Sequence, residues 1–248
     1  MKKSPIQISF MTPNKITQLL LLLGIMFYFS ACKDDEVLFP ENYNQLTPFY
    51  PIDSGFWIEY SVDSTIHLNI DDQYLVDTSI DAHHFNLREQ IDSSFVDGEG
   101  KIAWMVSRYK RDADSLPWLF TSMWTARLSS TSLERVEDNQ RYIRLTFPLK
   151  SGRTWNGNAY NLLGEAVYKY EDVYSPKMYS ALNFDSTVVV NQDDFVSNIS
   201  RSVKEEVYGN HIGLLYKSID SVRVAATPGG IIILNGLEYK QTITNYKH

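Results

Sequence analysis

The sequence predicts a mainly β protein: a single large antiparallel, curved sheet, of half-barrel or sandwich type, with few short helices, following an N-terminal signal peptide. Three observations carry this. Apolar and polar residues alternate at period two over most of the chain beyond residue 49. Turn-forming clusters separate the alternating runs. Tyrosine is abundant, with 16 among 248 residues, as expected for half-wet pleated surfaces.

The leader comes first. Lys2, Lys3 and Lys15 precede an apolar run of 11 residues at positions 19–29. At 1.5 Å per residue such a run covers about half of a ~30 Å hydrocarbon core. That is the length of a signal h-region, not of a membrane span. A start at Met1 or at Met11 leaves a complete signal. Ser30 and Ala31 lead into Cys32, the only cysteine, so neither a disulfide framework nor a cysteine-based zinc site is expected. The chain divides into a signal peptide (1–31), an acidic tether (32–47) with Pro40, Asn42 and Asn44 and no sustained period, and a β-rich domain (48–248).

The strands follow. Phe56, Ile58, Tyr60 and Val62 share one face of a strand, and Ile66, Leu68 and Ile70 continue the alternation, as do Phe85, Leu87 and Ile91. Asp97-Gly98-Glu99-Gly100 predicts a hairpin between residues 91–96 and 101–109. Glu137-Asp138-Asn139-Gln140 predicts a second, joining 132–136 to 141–147. Later strands are expected at 183–190, 195–208, 214–224 and 231–244. Only 118–128 leaves helix and strand hard to separate. A turn motif occurs twice: Pro51-Ile52-Asp53-Ser54-Gly55-Phe56-Trp57 and Pro148-Leu149-Lys150-Ser151-Gly152-Arg153-Thr154-Trp155. Proline fixes φ and glycine permits positive φ, so each predicts a tight turn into a strand. The remainder of the two halves shows no alignment.

Phe29-Ser30-Ala31-Cys32 resembles a bacterial lipobox, with phenylalanine where leucine is usual. The resemblance implies acylation of Cys32 and a triacyl membrane anchor, each buried methylene contributing about 0.8 kcal/mol. Lys33, Asp34, Asp35 and Glu36 resemble the export signal of Bacteroidota surface lipoproteins, which implies an outer-membrane, cell-surface address. Three segments occur in order: Tyr50 to Trp57, Phe147 to Gly152, and Tyr208-Gly209-Asn210-His211-Ile212-Gly213-Leu214-Leu215-Tyr216. They resemble landmarks of uncharacterised single-sheet lipoproteins, similar in outline to lipoprotein-carrier half-barrels. Asp-Ser pairs before an aliphatic residue or threonine resemble Bacteroidota O-glycosylation acceptors, which implies Ser64, Ser115, Ser186 and Ser221.

Charge and motifs narrow the function. Loss of residues 1–31 takes three lysines and no acids from a chain of net −7, leaving −10. Such a surface repels phosphate backbones, so no nucleic acid is expected as partner. There is no Gly-x-Ser-x-Gly elbow, phosphate loop or dinucleotide fingerprint, and no cofactor is expected. Adjacent His83 and His84 point to opposite faces of a strand and cannot chelate one metal together. His67 and His211 need not join them. Asp71, Asp72, Asp77 and Asp81 lack EF-hand spacing, so no metal is expected. Trp118, Phe120 and Trp124 would share one face of a strand, as core or as a candidate ligand platform; Tyr168, Tyr170, Tyr174 and Tyr179 form a looser cluster. The leading expectation is a non-enzymatic lipid-anchored envelope protein that binds a partner protein or glycan. Alternatives are a half-barrel handling lipid or another hydrophobe, and a hydrolase with an unrecognised site.

Overall fold

A computed structural model describes residues 49–69 and 78–247. Cys32, the acidic residues after it, the tether, Ile70 and Asp71, Asp72 and Asp77 lie outside the described residues. Twelve strands follow one another: β1 (Trp57–Asn69), β2 (Thr78–Val96), β3 (Ile102–Arg111), β4 (Leu119–Leu128), β5 (Ser132–Glu137), β6 (Gln140–Thr146), β7 (Thr154–Asn156), β8 (Val167–Tyr179), β9 (Leu182–Val196), β10 (Ser200–Gly209), β11 (Gly213–Thr227) and β12 (Gly230–Lys247). The few short helices expected are absent among these residues. The ambiguous segment at 118–128 is a strand, β4.

All twelve strands form one antiparallel sheet in the order β6-β5-β4-β3-β2-β1-β12-β11-β10-β9-β8-β7. Every strand pairs with its chain neighbour except β6 with β7. The ladder between the first and last strands (Tyr60 opposite Ile243, Val62 opposite Gln241) joins the two six-stranded halves. The sheet is therefore a nearly closed, barrel-like meander, with its seam between β6 and β7. Side chains seal the seam. Tyr170 Oη donates to Thr146 O and accepts from Thr146 N–H, both at 2.8 Å. Trp155 Nε1 donates to Ile143 O, and Asn161 Nδ2 to Arg141 O, each at 2.9 Å.

The repeated turn starts each half, immediately before β1 and β7. Gly55 (φ 86°) and Gly152 (φ 78°) both adopt the left-handed conformation that glycine tolerates. Their N–H groups donate to Ile91 O and Tyr170 O at 2.8 and 2.7 Å. Ser54 and Ser151 donate to the next carbonyl of the same strand, on Asp92 and Glu171. The two turns thus make the same hydrogen bonds to equivalent strands, although the peptide bond before Pro148 is cis and that before Pro51 is not.

Hairpin positions match the turn chemistry. Asp138 and Asn139 have φ of 48° and 64°, the paired positive values of a tight two-residue hairpin. Asp97 Oδ1 accepts the N–H groups of Glu99 and Lys101 at 2.9 Å. One expected strand, 195–208, is two: β9 ends at Val196, and a turn at 197–199 is held by Ser197 Oγ, which donates to Ser200 O at 3.0 Å.

Alternation sets the interior. Phe49, Tyr50 and Phe56 join Ile58, Tyr60, Leu128, Leu133, Leu145, Leu214, Leu215 and Ile243 in a buried apolar core. This core fills the end of the barrel where β1 begins, the proximal end. Each such side chain contributes about 1.5–3 kcal/mol by leaving water. Toward the distal end, which carries the β5–β6 turn, the inward positions change character.

Candidate functional site in the barrel interior

Seven charged side chains run in one chain across the interior. Arg108 Nε donates to Glu89 Oε1 at 3.1 Å, and Arg135 Nη2 to Glu89 Oε2 at 3.0 Å. Arg135 Nε lies 3.4 Å from Glu137. Arg144 grips Glu137 with two bonds, at 3.0 and 2.6 Å, and lies 3.5 Å from Glu206. Lys217 Nζ approaches Glu206 at 3.1 Å, and Tyr208 Oη donates to it at 2.6 Å. Register explains the convergence. Glu89 is in phase with buried Leu87 and Ile91, Arg108 stands opposite it on β3, and Glu206 stands opposite Lys217. The chain of ion pairs ties β2, β3, β5 and β6 to β10 and β11, and so links the two halves through the interior.

Burial alone would raise the Glu137 carboxyl, but Arg144, Lys217 and Arg135 outweigh it and hold it well below the usual carboxylate range. Glu206 is likewise lowered: burial and Glu137 oppose ionisation, and Arg144, Lys217 and the Tyr208 hydroxyl prevail. These depressed carboxyls contribute stability that is fully present above about pH 4.3, the unfolded value. It is lost as pH falls through the lower folded values, because the unfolded chain then binds more protons. Melting temperature should therefore fall steeply below about pH 4, and more steeply in the native protein than in Glu137→Gln. Equal slopes in a thermal scan from pH 6 to 2.5 would contradict the assignment.

Beside this chain of charges lies a cavity of about 270 Å³, lined by Glu89, Arg108, Arg135, Lys217, Tyr239 and Gln241, among others. Leu214 closes its deep end and Asp138, in the β5–β6 turn, stands at its distal edge. Trp124 forms part of the wall. Its ring lies under the Arg108 guanidinium at 3.6 Å and near that of Arg135 at 5.1 Å, and its Nε1 donates to Asp138 at 3.2 Å. The cavity wall thus mixes charged and hydrogen-bonding groups with aromatic and aliphatic ones. Mixed walls of this kind bind small molecules through a few placed polar groups.

The residues singled out by sequence are spread over the fold. Trp118, Phe120 and Trp124 do not share a face, because β4 carries an extra residue opposite Arg108 and Tyr109. Trp124 faces the cavity. Phe120 packs edge-on against Tyr109 at 5.8 Å, and Trp118 lies under Arg88 and Arg111 at 4.6 and 4.3 Å. His67 Nε2 meets Glu238, His83 meets Asp81 and His84 meets Asp63, at 2.7, 2.8 and 2.8 Å. His211 sits in the β10–β11 turn. Tyr168 and Tyr170 are buried, Tyr174 is exposed and Tyr179 stacks on Tyr216 at 5.2 Å. Of the four serines, Ser115 lies in the exposed loop between β3 and β4, and Ser186 is half-buried on β9. Ser64 shares the inward face of Tyr60 and Val62, and Ser221 that of Lys217 and Ile219. The interior charges were not among the residues singled out; their one sequence signature is a charge standing in phase with apolar neighbours.

The chain matches no protein-family model and no curated protein. Among solved structures it is similar to a protein of Bacteroides fragilis NCTC 9343 described as an exported protein with YmcC-like fold (11% identity, 81% of this chain, 99% of the other, TM-score 0.46). It is also similar to a Parabacteroides distasonis protein described as a lipoprotein (8% identity, 80% of this chain, 98% of the other, TM-score 0.38).

Proposed function

We propose that the protein is a lipid-anchored, non-enzymatic envelope protein of the outer-membrane surface whose barrel interior binds a small polar ligand of the glycan class. The observation that carries the ligand reading is the ~270 Å³ cavity lined by charged and hydrogen-bonding side chains above an apolar floor. An acyl chain fits this interior poorly. Its apolar half is filled by Tyr60, Leu133, Leu145 and Ile243, all fully buried, and its open half would leave ions facing hydrocarbon. Trp124 adds aromatic surface to the cavity wall, with one face of its ring covered by the Arg108 guanidinium. A panel of mono- and disaccharides should raise the melting temperature, by mass action on the folded state. If only fatty acids do so, the reading falls.

The address rests on the sequence motif. Cys32→Ala should leave the protein unprocessed or release it from the membrane fraction. Alanines at Lys33, Asp34, Asp35 and Glu36 should keep it membrane-bound but protect it from protease added to intact cells. Unchanged protease access would remove the export-signal assignment. Among the four candidate glycosylation serines, the exposed loop position makes Ser115 the expected acceptor, checked by the mass of its tryptic peptide.

A further inference from the structure

We infer that the interior cavity is built for a monoanion, a small carboxylate with a ring or aliphatic body. This deepens the polar-ligand reading and rests on it.

The first observation is a charge imbalance. In the linked interior chain four cations, Arg108, Arg135, Arg144 and Lys217, face three anions, Glu89, Glu137 and Glu206. The protein as a whole carries an excess of acids, so a positive surplus inside it is a local feature. Asp138 stands at the distal edge of the cavity, but it is exposed to solvent, where its charge is screened.

The second observation concerns donors. Arg108 bonds Glu89 through Nε alone, so its two terminal nitrogens bind no carboxylate among the described residues. Lys217 spends one contact on Glu206. Gln241 is 2% exposed and accepts the Tyr239 hydroxyl through Oε1 at 2.7 Å, while its buried Nε2 has no partner. Register places Gln241 directly opposite Lys217, and both line the cavity with Arg108. An unsatisfied buried donor costs about 1–3 kcal/mol, which a ligand oxygen would relieve. A guanidinium fork, an ammonium and an amide N–H together suit a planar carboxylate.

The size of the surplus selects the anion class. One net positive charge balances one carboxylate, whereas a phosphate monoester brings about −1.5 to −2 at neutral pH. Trp124, Ile219 and Leu237 also line the cavity and would cover an uncharged ligand body.

The test uses the full chain in detergent and matched acid–neutral pairs, read by titration calorimetry. The probes are D-glucuronate against D-glucose, and benzoate against benzamide, with inorganic phosphate as a separate arm. At least one acid should bind tenfold or more tightly than its neutral partner, and Lys217→Gln and Arg108→Gln should each remove most of that preference. Equal binding of acid and neutral partners would overturn the inference and leave the polar-ligand reading standing. Binding of phosphate but neither carboxylate would overturn it as well. A preference unchanged in both variants would place the site elsewhere and overturn the inference. Absence of binding by all five probes at millimolar concentration would overturn both. Should either variant fail to fold, the comparison on the native chain still decides.

Discussion

Arg144→Met should destabilise the barrel by about 3–5 kcal/mol, the usual cost of removing one partner from a buried ion pair. For a domain of this size that is a fall in melting temperature on the order of 10 °C. Methionine keeps much of the length of the arginine stem, so packing changes little. The charge change is severe. Arg144 holds both oxygens of Glu137, lies within 3.5 Å of Glu206, and donates to Tyr168 at 3.4 Å. Without it, two buried carboxylates share Lys217 and Arg135. The double variant Arg144→Met with Glu137→Gln should recover a substantial part of the loss, because it removes the stranded charge as well. Chemical denaturation of the three proteins measures this. A loss below about 1 kcal/mol for the single variant, the range of exposed pairs, would show that water screens the interior.

Gly236→Ala should cost on the order of 3 kcal/mol, from backbone strain and overpacking together. Gly236 lies on β12, between His67 of β1 and Val222 of β11, with φ of 133°. A Cβ there would stand 2.2 Å from Ser221 O and 2.6 Å from Val222 Cα. Both are backbone atoms of a paired strand and cannot rotate away, so relief requires moving the β11–β12 ladder. Gly98→Ala is the control, since a Cβ there meets nothing within 4 Å and its φ is not positive. Comparable melting temperatures for the two variants would contradict the geometry.

Much of the sheet was legible because its inward positions are apolar and regularly spaced. Phe56, Ile58, Tyr60 and Val62 mark β1 without help from any distant residue. Turns with glycine or Asp-Asn were legible for the same local reason. The turn at 197–199 was not, since Ser197-Asn198-Ile199 contains neither glycine nor proline and interrupts the pattern only briefly. The pairing of β1 with β12 was also hidden, because pairing between chain ends leaves no local trace. The aromatic stripe of β4 misled for a physical reason: one inserted residue switches faces, and a bulge depends on the partner strand. Glu89, Arg108 and Glu206 read as breaks in the apolar alternation, yet they face inward like the residues they interrupt. Their partners Arg135, Arg144 and Lys217 come from other strands, so the network appears only in three dimensions.

The central claim is that the charged half of the barrel interior is a ligand site. The indole N–H of Trp124 reports on it directly, since that group bonds Asp138 at the cavity edge and its ring lies under Arg108. The measurement is an NMR titration of the tryptophan indole and backbone amide signals with a saccharide that raises the melting temperature. The account predicts saturable shifts of the Trp124 indole and of the Lys217 and Gln241 amides, while Trp57 and Trp118 on the outer face stay still. Saturable shifts confined to Trp57 and Trp118, with Trp124 unmoved, would contradict it.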